Sequence, residues 1–83
     1  TPADIAKNIA NARSYITKNV DRLAELRRLS RESDDATKEL DEYNKLLTKV
    51  RARVTVLNDN NAPIGDDLKT KLNEAGLSLP SAE

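Results

Sequence analysis

The sequence predicts an all-α protein: an antiparallel, coiled-coil-like helical hairpin followed by a short third helix. Three features point to it. Between Pro2 and Pro63, sixty consecutive residues contain neither glycine nor proline, the two residues that interrupt helices most strongly. Across that stretch the aliphatic residues recur at alternating steps of three and four, the spacing of one helix face. Near its middle a basic run gives way to an acidic one, as expected where one helix ends and the next begins.

The first helix is expected over residues 3–31. Thr1-Pro2-Ala3-Asp4 reads as a helix start: Thr can cap, Pro suits the first helical position, and Asp4 lies among the free amides of the first turn. Its apolar stripe runs through Ile5, Ile9, Ala12 and Ile16, then either Asn19 or Val20, then Leu23, Leu26 and Leu29. An asparagine in that stripe would set register at some cost in stability. Lys7, Arg13, Lys18, Arg22 and Glu25 fall on the other faces as a solvated surface, and Ala6, Ala10 and Ala12 would let a neighbouring helix approach closely.

The segment Ser30-Arg31-Glu32-Ser33-Asp34-Asp35 decides between a hairpin and one continuous rod. Arg27, Arg28 and Arg31 lie where a helix C-terminus favours cations; Glu32, Asp34 and Asp35 lie where the next N-terminus favours anions, with Ser33 as its cap. The stripe can also be threaded straight through Leu26, Leu29, Ser33, Ala36 and Leu40 with one lost step, which a rod tolerates. Charge favours the hairpin. Residues 1–31 carry seven basic and three acidic groups and residues 32–45 two basic and six acidic, blocks that would face each other near the tip.

The second helix is expected over residues 35–57, with Ala36, Leu40, Tyr43, Leu47, Val50, Val54 and Leu57 on its apolar face. Lys49, Arg51 and Arg53 form a basic flank near the open end, read as solvated. Val54-Thr55-Val56 lowers helix propensity, so a short strand over 54–57 is the alternative there. Residues 58–65 form an Asn-rich loop. Asp66 and Asp67 start a third helix over 66–75 with Leu68, Leu72 and Ala75 inward; Gly76 ends it and Leu77 folds back onto it. Residues 76–83 form an extended tail, frayed over the last three. The whole is a single module, 1–83, without repeats or a second domain.

Composition narrows function by exclusion. Nineteen Ile, Leu and Val and two Tyr in 83 residues make a thin core, one that leans on a partner chain or on the remainder of a longer protein. A first residue Thr and the absence of Met read as a processed product or excised piece. Fourteen basic and fourteen acidic residues cancel, leaving no net field to draw the chain onto nucleic acid or an anionic membrane. No stretch approaches the roughly 20 apolar residues of a membrane span, and no apolar signal core opens the chain. With no cysteine the compartment stays open.

The same sequence lacks both histidine and cysteine, so the commonest general base, thiol nucleophiles and most transition-metal ligands are missing. The densest carboxylates, Asp34/Asp35 and Asp66/Asp67, sit at expected helix starts, where acids belong for structural reasons. The loop from Asp59 to Gly65 lacks the glutamate a calcium-binding loop needs at its twelfth position, and two glycines make no phosphate loop. No enzyme activity, cofactor, metal or small-molecule substrate is expected. Tyr43 belongs to the core stripe; Tyr15, beside it, is either an interface anchor or an isolated surface tyrosine.

Leu40-Asp41-Glu42-Tyr43-Asn44-Lys45-Leu46-Leu47, then Asn58-Asp59-Asn60-Asn61, Pro63-Ile64-Gly65-Asp66-Asp67-Leu68 and Gly76-Leu77-Ser78-Leu79 carry a family likeness. Over residues 36–79 the chain resembles the coiled-coil parts of needle, filament and tip proteins of bacterial type III secretion systems. The Pro-containing interhelical turn of the needle proteins has no counterpart here. The resemblance implies a helical hairpin or long coil with a short helix turning into an extended segment, assembly contacts along the stripe from Leu40 to Leu57, and secretion.

The expected function is non-enzymatic: a structural or protein–protein interaction module that self-associates or takes partner helices. Its seam would be Ile5, Ile9, Ile16, Leu23, Leu26, Leu40, Tyr43, Leu47, Val50, Val54 and Leu57. The alternative is an adaptor or chaperone-like module that holds a client helix in the hairpin groove.

Overall fold

The computed structural model describes residues 1–79 and contains three helices: α1 (Pro2–Glu32), α2 (Thr37–Asp59) and α3 (Asp66–Glu74). No strand occurs among the described residues. The chain reverses between α1 and α2, so the basic-to-acidic switch marks a hairpin and not a stammer in a rod. The molecule measures 47 × 27 × 16 Å, its long axis matching the rise of a 31-residue helix, about 46 Å.

The start of α1 follows from its first four residues. Thr1 Oγ1 accepts from the Asp4 amide at 3.2 Å and donates to the Asp4 carboxylate at 2.8 Å, and Pro2 fills the first helical position, where no amide is needed. The other end differs from expectation. Ser33 does not cap α2; it terminates α1 in an extended conformation, and its Oγ accepts from the Asp35 amide at 3.2 Å. That local turn consumes residues 33–36, so α2 begins at Thr37, with Ala36 at its N-cap and no side-chain acceptor.

α1 and α2 bury Ala12, Ile16, Val20, Leu23 and Leu26 against Tyr43, Val50, Val54 and Leu57. Val20, not Asn19, takes the stripe position; Asn19 sits at the edge, its amide donating to the Tyr15 carbonyl one turn back at 2.9 Å. Residues 54–57 stay helical despite two β-branched valines and a threonine, because burying Val54 and Leu57 outweighs a propensity penalty of a few tenths of a kcal/mol each.

α2 and α3 end in the same way with different residues. After α2, the Ala62 amide bonds to the Leu57 carbonyl at 2.8 Å and the Asn61 amide to Asn58 at 3.1 Å, with Asn61 at φ 54°. After α3, Leu77 bonds to Leu72 at 2.9 Å and Gly76 to Asn73 at 3.1 Å, with Gly76 at φ 99°. Both are Schellman ends, and in both the residue after the left-handed one tucks back onto the helix. The first carries α2 two residues past the expected Leu57; the second stops α3 at Glu74 with Ala75 as its cap.

α3 packs against α1 and runs parallel to it, back up the hairpin. Arg13 donates to the Ile64 carbonyl at 3.4 Å, Lys71 pairs with Asp21 at 3.7 Å, and Arg27 donates to the Glu74 carbonyl at 2.9 Å. Arg27, expected to serve the end of its own helix, therefore caps a different one, while Arg28 pairs with Glu32 at 2.9 Å. From α2, the buried Tyr43 hydroxyl donates to the Ala75 carbonyl at 2.8 Å. Beyond Leu77, the Leu79 amide donates to Asn73 Oδ1 at 3.4 Å. The expected extended Pro80 and frayed residues 81–83 lie outside the described residues.

Candidate interaction surface

The apolar stripe divides into a consumed part and an open part. Ile16, Leu23, Leu26, Tyr43, Val50, Val54 and Leu57 are buried within the chain's own core. Ile9 and Leu47 are half-buried against it. Ile5 and Leu40 are each 48% exposed, the large apolar side chains most open to water among the described residues.

Helix lengths explain the division. α1, with 31 residues, is longer than α2, with 23, and the chain reverses between them, so the first turn of α1 lies at and beyond the end of α2. Ile5 continues the line of Ile9, Ala12 and Ile16 to the end of α2, where it lines an open cleft with Val56, Asp59 and Asn60 and stays half-exposed. Leu40 lies at the opposite end, in the first turns of α2, beside Arg27, Arg31 and Gly76. The thin core is closed by α3 and its flanks, which contribute Ile64, Leu72, Ala75 and Leu77. Sequence periodicity on α1 and α2 does not reveal this, because α3's apolar face is short and its partner lies fifty residues earlier.

α3 also covers α1 only in part. Its polar contacts reach from Arg13 to Arg27, and below Arg13 the same side of α1 is uncovered. There Ala6, Ile9 and Ala10 floor a shallow apolar groove, open to solvent and lined by α1 alone, with Arg13, Ser14, Thr17 and Lys18 at its borders. It shares Arg13 and Thr17 with the cleft at the start of α3, lined by Ile64, Leu68 and the Asp66/Asp67 pair. The position of a third helix is thus filled beside the upper part of α1 and empty beside the lower part.

Cations border the empty part. Among the described residues no carboxylate lies within 4.0 Å of Lys7 or Lys18, whereas Asp4 is turned to the N-terminal ammonium at 3.6 Å and Asp21 to Lys71. Tyr15 faces away from the groove. It is half-buried on the core with the Arg53 guanidinium 4.7 Å from its ring centroid, so it is not the free surface anchor that the sequence allows.

Among the described residues no cluster of three or more His, Cys, Asp or Glu is placed to hold a metal ion, and no buried side-chain polar atom lacks a partner. No helix there is long and apolar enough to cross a membrane. The open end of α1 offers apolar contact, close approach at two alanines and a cationic border. Comparison of the chain with known family models, curated proteins and solved structures gives no match.

Proposed function

We propose that the chain is a non-enzymatic helical module for protein–protein association, and that it associates through the uncovered end of α1. The observation that carries this reading is the exposure of Ile5, 48%, at the end of a stripe that is otherwise buried. Burying the half of this side chain that is still exposed is worth about 0.7–1.5 kcal/mol, a gain that an isolated chain forgoes and a helix laid on it would recover. The resemblance over residues 36–79 makes a tip or filament component of a type III secretion machine the biological setting of this proposal.

Sedimentation over a wide concentration range, with helical peptides added in parallel, tests it. The expected result is a mass that rises with concentration or with peptide and stays monomeric in the Ile5→Asp variant at unchanged helicity. A wild-type chain that stays monomeric throughout and takes up no helical peptide would sink the reading.

A further inference from the structure

We propose that the uncovered groove on α1 takes an amphipathic helix whose apolar stripe is edged by carboxylates, laid end to end with α3 as the missing length of the bundle's third helix. This rests on the interaction reading above and adds to it the chemistry of the partner.

The geometry of the lane comes from α3. That helix lies parallel to α1 with its start beside Arg13, and the groove continues the same side of α1 downward through Thr17, Arg13, Ala10, Ile9 and Ala6. A helix entering in line with α3 therefore meets a floor already shaped for helix packing. With alanine at positions 6 and 10, its axis can approach to the near end of the usual 8–10 Å range. Ile9, half-buried, borders the same floor on the side nearer the core.

Charge names the partner. Lys7 and Lys18 are eleven residues apart, three turns, so they stand on one edge of the lane about 16 Å from each other. Neither has a carboxylate of the described residues within 4.0 Å; Asp4 is committed to the hydroxyl and ammonium of Thr1 and Asp21 to Lys71, while Asp66 and Asp67 stand at the α3 end of the lane, in the cleft that Arg13 also lines. Arg13 borders the opposite edge, its guanidinium on a carbonyl and its charge unpaired by any carboxylate within 4.0 Å among the described residues. An overall neutral chain thus presents Arg13 and Lys18 at the border of this apolar floor, with Lys7 three turns from Lys18 on the same edge by helix spacing. An incoming helix with lysines at its edges would face like charges, and one with glutamates would complete ion pairs as it buries its stripe.

Two synthetic helical peptides with one common Leu/Ala stripe, edged by Glu in one and by Lys in the other, are titrated into the isotopically labelled chain and followed by amide shifts. The Glu-edged peptide is expected to move amides of residues 5–18, to weaken as salt is raised, and to lose about tenfold in affinity in the Lys7→Glu/Lys18→Glu variant, equivalent to two surface ion pairs. That variant should keep the wild-type unfolding midpoint, since both side chains are exposed. Equal binding of the two peptides, binding of neither, or shifts confined to α2 overturns the proposal. If the groove takes the Lys-edged peptide equally well, or takes only a second copy of the chain in sedimentation, the carboxylate-edged partner is rejected while the interaction module stands.

Discussion

The hydroxyl of Tyr43 occupies the space that a side chain on residue 76 would need, so the two residues specify each other: a tyrosine on α2 and a glycine after α3. The same hydroxyl donates to the Ala75 carbonyl, which makes this contact the tie between the second helix and the end of the third.

Gly76→Ala should therefore destabilise the fold by about 2–3 kcal/mol, from left-handed strain of about 1–2 kcal/mol plus displacement of the buried hydrogen bond. Tyr43→Phe alone should cost about 1–2 kcal/mol by leaving the Ala75 carbonyl unpaired. The double variant should cost less than the sum, because Phe removes the atom that the new methyl strikes. Urea unfolding of the four proteins measures the coupling. Strict additivity would show that the close approach is relieved by movement elsewhere.

The equivalent position after α2 predicts the opposite sign. Asn61 holds φ 54° with its side chain exposed, so Asn61→Gly removes strain without removing packing. A gain of about 0.5 kcal/mol in denaturant unfolding is expected, net of the entropy that glycine adds to the unfolded chain.

Two substitutions on the same stripe should separate core from surface. Val54 is 4% exposed, and Val54→Asp places a carboxylate among Ile16-type neighbours, abolishing folding in a circular dichroism melt. Ile5→Asp should leave stability within about 0.5 kcal/mol of wild type and act only on association. Loss of assembly in Val54→Asp says nothing about a partner; loss in Ile5→Asp does.

Salt should discriminate in the same spirit. The six ion pairs among the described residues join groups that are at least 42% exposed, so unfolding free energy should change by less than about 1 kcal/mol between low salt and 1 M. A large salt dependence of folding would mean that the arginines at the hairpin tip matter more than their exposure indicates.

What was legible in the sequence was local. Thr1, Pro2 and Asp4 mark a helix start by their own chemistry, Gly76 marks an end, and the spacing of Ile16, Val20, Leu23 and Leu26 marks a buried face. Less legible was anything that depends on which elements meet. Ser33 reads equally well as the cap of the following helix or the end of the preceding one, and Arg27 gives no sign that its acceptor is a carbonyl 47 residues later. Tyr15 reads as a free aromatic until Arg53, on another helix, is placed over it. The candidate surface was half visible: Ile5, Ile9 and Leu40 stood in the stripe, but nothing in their spacing distinguishes them from Val50 or Leu57. That distinction depends on where α2 and α3 stop.

The open surface is consequently a product of unequal lengths and not of a special set of residues. A longer α2 would reach over Ile5, which lies beside its last turn, and a longer α3 would reach over Ile9 and the alanines on the other side of α1. Short insertions in residues 60–65, the segment that joins the two helix ends flanking this part of α1, are therefore the changes to which docking there should be most sensitive.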